Sequence, residues 1–169
     1  KIDVQPDVII LCHAAVASGV INVSNDTLYH VNVSLTEQIV NKFNKAFIVY
    51  VSTCSVYDVT TDVIVEESSI KPQSDYAFSK LWAERIVLKT QMATVLRISS
   101  LYGKRMKENT LIPNYVNAAL QRNVIEVWGE GTRIQNYIHV FDVSRCIEKI
   151  WWRRIRYSRC RVCTKKFIF

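Results

Sequence analysis

Tyr76 and Lys80 stand four residues apart in Tyr76-Ala77-Phe78-Ser79-Lys80, a spacing that puts two side chains on one face of a helix. A phenol beside an ammonium is acid–base chemistry. The cation favours the phenolate, so Lys80 is expected to lower the Tyr76 pKa toward working pH. Thr53 adds a hydroxyl that can bind a substrate oxygen and relay its proton. The three together could take a proton from a substrate hydroxyl and return it. A bare Y-x-x-x-K occurs in many ordinary chains as a surface pair. Its weight here comes from order: an apolar strand ends in Ser52-Thr53-Cys54-Ser55, and a capped helix bearing Tyr76 and Lys80 follows.

The elements that must position these residues alternate. Val8-Ile9-Ile10-Leu11 is a continuous apolar run, as expected of a parallel strand buried on both faces. Leu28, Val31, Leu35, Ile39 and Phe43 recur at three- and four-residue steps and predict a helix face, with Ser24, Asn25 or Asp26 as N-cap. Ala46 to Val51 predicts a second strand and Thr94 to Ile98 a third. Between them, Ser74 or Asp75 caps a helix carrying Tyr76, Lys80, Ala83, Ile86 and Val87. This alternation argues α/β architecture with a parallel sheet, whose ligands bind outside the carboxyl ends of the strands. Thr53 and Ser99-Ser100 fall at those ends.

Beyond Gly103 the texture changes. Leu111 to Leu120 predicts a helix, Ile125-Glu126-Val127 a short strand, Gly129-Glu130-Gly131 a turn and Tyr137 to Val140 another strand, after which Asp142 caps a last helix. The chain therefore divides into residues 1–103, the strand–helix part; 104–150, a small substrate-binding subdomain; and 151–169, a basic tail without evident regular structure.

The net charge of +7 on 169 residues sits in that tail, which carries Arg153, Arg154, Arg156, Arg159, Arg161, Lys165 and Lys166 and no acid. The rest is balanced, which argues against nucleic acid as a partner. No apolar run approaches the roughly 20 residues of a membrane helix. The first residues lack the apolar core of a signal peptide. Five cysteines without regular spacing read as reduced thiols of a cytoplasmic protein. Cys160-Arg161-Val162-Cys163 has no second ligand pair, so no metal is expected.

The ordered blocks resemble the extended short-chain dehydrogenases that act on nucleotide sugars, the NAD-dependent epimerase/dehydratase family. Pro6 to Ile10, continuing to His13-Ala14-Ala15, is similar to the family's "DVVIHLAA" segment. Asn32 lies in a stretch like "N-V-x-G-T". Val51 to Asp58 is similar to "S-S/T-x-x-V-Y-G". Glu67, Pro72, Ser74, Tyr76, Ser79, Lys80 and Glu84 match "E…P-x-S-x-Y-x-x-S-K…E". Leu96-Arg97 with Tyr102-Gly103, and Gly129 through Asp142, match two later motifs. The resemblance runs from about Pro6 to Ile150. It implies a partial Rossmann-like parallel sheet with flanking helices plus a small C-terminal substrate-binding subdomain. It implies Thr53, Tyr76 and Lys80 as catalytic residues. Ala14, Ala15, Asn32, Ser52, Tyr76 and Lys80 would hold NAD or NADP. Thr53, Ser100 and Arg133 would bind a nucleotide-sugar substrate, and a homodimer is the family's assembly.

Departures refine this. The family's first three strands and its glycine-rich phosphate loop have no counterpart, so the chain reads as a fragment. Gln135-Asn136 replaces the usual Arg-Asp, with Arg133 a substitute for the arginine. Cys54-Ser55 replaces the Asp-Glu of the dehydratase branch, which favours epimerisation or carbonyl reduction over dehydration. The alternative expectation is an inactive remnant, or a half that works only on a partner.

Overall fold

Three apolar runs form the first three strands of the sheet: β1 (Val8–Leu11), β2 (Phe47–Thr53) and β3 (Ala93–Ile98). The computed structural model describes residues 4–16, 22–58, 60, 63–90, 92–127, 129–132, 134–156 and 165–168, the side chains of 153–156 and 165–168 excepted. The sheet is parallel, in the order β1-β2-β3-β6, with β6 (Lys165–Ile168) paired to β3 from Thr94 to Arg97. β6 corrects one expectation: part of the basic tail is regular, because its backbone completes the open edge of β3.

Side chains alternate across a strand, so β2 serves two cores. Ile48 and Tyr50 pack with Leu11 and Val95 against Val33, Val40, Ala83 and Val87. Phe47 and Val49 pack with Leu96 against Cys146, Ile147 and Ile150. The first core is roofed by α1 (Asn25–Leu28), α2 (Leu35–Lys42) and α3 (Asp75–Leu88), the second by α5 (Val140–Arg156). Helices on both faces explain why the strands are largely apolar on both sides, with Ser52, Thr53, Thr94 and Arg97 as the polar positions. No helix among the described residues is long and apolar enough to cross a membrane.

Between α1 and α2 the chain runs as a π-helix, Tyr29–Ser34. A π turn takes in an extra residue, so the buried face moves one position on. Leu28, Asn32, Val33, Thr36 and Val40 are buried, while Leu35 of the expected stripe is exposed. Ser24 is the N-cap, its hydroxyl accepting from the Thr27 N–H.

In the second half, β4 (Ser100–Tyr102) pairs in parallel with β5 (Tyr137–His139), and α4 (Leu111–Arg122) lies between them in sequence. Two expectations are corrected. Ile125-Glu126-Val127 is not a strand: it pairs with nothing and leaves Ile125 and Val127 exposed. Asp142 does not cap the last helix, which begins at Val140; Asp142 sits in its first turn, where a carboxylate still complements the helix dipole.

Candidate active site

Thr53 ends β2 in extended backbone and caps the 3-10 turn Cys54–Val56. Its Oγ1 accepts from the Ser55 N–H at 3.2 Å and donates to Ser55 Oγ at 3.1 Å. Ser74 caps α3 by accepting from the Ala77 N–H, which places Tyr76 in the first turn and Lys80 one turn later on the same face. The Lys80 ammonium is 1% exposed, donates to the Val51 carbonyl at 2.8 Å and lies 4.1 Å from the centre of the Tyr50 ring. Lys80 is thereby tied to β2 two residues before Thr53. The two elements carrying the three expected residues meet at the carboxyl end of the sheet.

Burial pushes the Lys80 pKa down to about 8, against the opposing pull of Glu84 and Cys12. Burial also pushes the Tyr76 phenol above its ordinary value. This reverses the expectation that Lys80 lowers it. Among the described residues no hydrogen bond joins the pair, and the ammonium is directed to Val51 and Tyr50 instead. As it stands, Tyr76 at neutral pH is a proton donor.

The walls of the site are held by buried polar groups. Asn32 is fully buried, and its carboxamide donates to the Ala15 carbonyl at 3.0 Å and Ser79 Oγ at 2.8 Å while accepting from the Ala15 N–H at 2.8 Å. Its side chain therefore fixes Ala14-Ala15 relative to α3. His13 shares a 3.0 Å hydrogen bond with Thr36. Ser52 is buried and donates to Glu84 Oε1 at 2.5 Å, and Arg97 pairs with Glu84 through Nη2 at 2.6 Å and Nε at 3.0 Å. The Arg97 guanidinium also stacks 4.5 Å from the Tyr57 ring.

Ser100 opens β4 and accepts from Gln135 Nε2 at 2.5 Å. Gln135 lines a pocket of about 740 Å³ together with Asn114, Tyr115, Arg122, Glu126 and Tyr137. Arg133, the expected substitute for the family arginine, lies outside the described residues, as do Cys160 and Cys163. Sequence reasoning missed Tyr50 and the role of Gln135. Arg97 carried a signal, a base set in a largely apolar strand.

The family model described as the NAD dependent epimerase/dehydratase family matches residues 2–153. The chain is 33% identical over 105 residues to methionine adenosyltransferase 2 subunit beta of Rattus norvegicus, covering 60% of this chain and 31% of that protein. Its fold is similar to UDP-glucuronic acid 4-epimerase of Bacillus cereus in complex with NAD, with a TM-score of 0.79 at 18% identity, covering 96% of this chain and 53% of that one. It is also similar to dTDP-glucose 4,6-dehydratase of Bacillus anthracis in complex with NAD, with a TM-score of 0.70 at 27% identity, covering 85% and 47%. The chain spans 17–36% of the length of the curated relatives it matches.

Proposed function

We propose, from the premise that this chain belongs to the NAD dependent epimerase/dehydratase family, that it carries the proton-transfer side of an NAD(P)-dependent reaction on a nucleotide-activated sugar. The observation that carries this reading is the tie from Lys80 to the Val51 carbonyl, which brings the Tyr76-Lys80 face of α3 against the strand that ends at Thr53. The local residues fit a dinucleotide. Ala14 and Ala15 put nothing larger than a methyl beyond β1, and Val51 takes one of the three donors of Lys80. Ala14, Ala15, Tyr76 and Lys80 would hold the cofactor, with Asn32 and Ser52 shaping the wall behind it. Bound NAD or NADP would supply the hydride acceptor or donor.

Thr53 would exchange its bond to Ser55 for one to the substrate oxygen. Tyr76 would pass its phenolic proton to that oxygen as a carbonyl is reduced, and take it back when a hydroxyl is oxidised. A protonated Tyr76 serves the reductive half, and the oxidative half needs the phenolate. Cys54 and Ser55 supply no carboxylate beside Thr53 for water loss, and the Cys54 thiol is turned to the Arg97 carbonyl at 3.4 Å. This favours epimerisation or reduction over dehydration. Ser100, Gln135 and Arg133 would meet the nucleotide part of the substrate.

A second reading is favoured by the 33% identity to a protein named as a subunit: the chain acts within an assembly and needs a partner to bind cofactor. Calorimetric titration of the 169-residue chain with NAD and with NADP separates the two. Micromolar binding that weakens in Lys80→Met supports the enzymatic reading. A folded chain that binds neither cofactor removes that reading for the isolated chain and leaves the partner-dependent one.

A further inference from the structure

We propose that Tyr50 is a positioning residue for Lys80, its ring face being the platform that fixes the buried ammonium at the carboxyl end of β2. The inference rests on the reading of Lys80 as a site residue.

An ammonium that is 1% exposed needs partners, because an uncompensated buried charge is strongly unfavourable. Val51 provides one hydrogen bond. The nearby carboxylate is committed elsewhere: Glu84 Oε1 accepts from Ser52 and Arg97 Nε, and Oε2 from Arg97 Nη2. What remains beneath the ammonium is the Tyr50 ring, 4.1 Å from centre to Nζ, well inside the range of a cation–π contact. Tyr50 itself is fully buried. Its hydroxyl has no hydrogen-bond partner among the described residues, so the phenol oxygen does not anchor the ring to anything. The face of the ring, rather than its hydroxyl, makes the contact that matters.

The other titratable groups facing Lys80 are Cys12 and His13 beyond β1 and Glu84 on α3, while Tyr76 faces Tyr50. None of these is altered by changes confined to the ring of residue 50.

The test is a titration of the Lys80 side chain in the full 169-residue chain, followed by its ¹³Cε resonance in lysine-labelled protein and assigned by the loss of that resonance in Lys80→Met. Tyr50→Phe, which removes only an unpartnered hydroxyl, should leave the midpoint within a few tenths of a pH unit. Mono-, di- and trifluorophenylalanine at position 50 keep the shape of the ring and progressively cancel its negative face. The midpoint should fall stepwise across the series, by about one pH unit at trifluorophenylalanine. A flat series overturns the platform, since a purely steric role survives fluorination. The measurement needs no cofactor. A stepwise series in a chain that binds no NAD would leave the platform standing and remove the enzymatic reading, and a flat series in a chain that binds NAD would do the reverse.

Discussion

Asn32 on the π-helical segment donates to Ser79 of α3 across 2.8 Å, and Ser79 in turn donates to the Tyr76 carbonyl at the same distance. With the two bonds from Asn32 to Ala15, a single side chain fastens the loop after β1 to the first turns of α3. Replacing it with alanine leaves the Ala15 N–H without its partner in a half-buried setting. Asn32→Ala should cost about 2–3 kcal/mol, read from the urea midpoint, and should weaken cofactor binding along with it. An unchanged midpoint would show that water replaces the carboxamide.

Glu84 and Arg97 are each 1% exposed and joined by a bidentate pair. Removing one partner strands the other charge, so Glu84→Ala or Arg97→Met alone should cost roughly 3–5 kcal/mol. The double variant, which removes both charges, should cost less than the two single losses added together. A double-mutant cycle in urea measures that difference, and simple additivity would sink the claim that the pair acts as a unit.

Tyr76→Phe should leave folding intact and lower turnover of a nucleotide-sugar substrate by about 100-fold or more. Thr53→Ser should retain activity that Thr53→Ala loses, because both threonine and serine can hold the substrate oxygen. Steady-state kinetics on the three variants decides this. Full activity in Tyr76→Phe would reassign the proton donor.

The pair at Tyr76 and Lys80 was legible because helix spacing is local, and Thr53 because a strand end shows as the close of an apolar run. The parallel sheet followed from the alternation of strands and helices, but its fourth strand did not. What stayed hidden depends on contacts remote in sequence. Tyr50 reads as one more apolar core position until α3 lays Lys80 across it. The buried stripe of the first long helix was displaced because no residue pattern announces a π turn. The pairing of β4 with β5 was missed because each strand is too short to show a period. The shift at Tyr76 went the other way because helix spacing does not reveal burial, which pushes the phenol up.

Lys80 also predicts how stability depends on pH. Its folded pKa of about 8 lies below the ordinary lysine value of 10.5. Between those values the unfolded chain binds more protons than the folded one, so stability should rise with pH across that window. The penalty is fully present below pH 8 and relieved toward pH 10.5, on the order of 3 kcal/mol in total. Urea unfolding of the parent chain and of Lys80→Met at several pH values isolates it. The gain should be present in the first and absent in the second.

Gly103 sits at φ +154°, and a Cβ built there would come within 2.7 Å of Val140 Cγ1. The contact joins the end of β4 to the start of α5. Gly103→Ala should destabilise by about 1–3 kcal/mol, visible as a lower melting temperature. Adding Val140→Ala should recover part of the loss. A melting temperature unchanged by Gly103→Ala would mean that the turn relaxes freely.

The pairing of β6 with β3 bears on the order of events during synthesis. β1, β2 and β3, with the helices that roof one face, leave the ribosome well before β6, which follows β3 by roughly seventy residues. Until then β3 presents a bare edge, and until α5 arrives Phe47, Val49 and Leu96 lie uncovered on the opposite face. A nascent chain arrested before residue 165 would therefore carry Thr53, Tyr76 and Lys80 already in place beside an unfinished, adhesive edge.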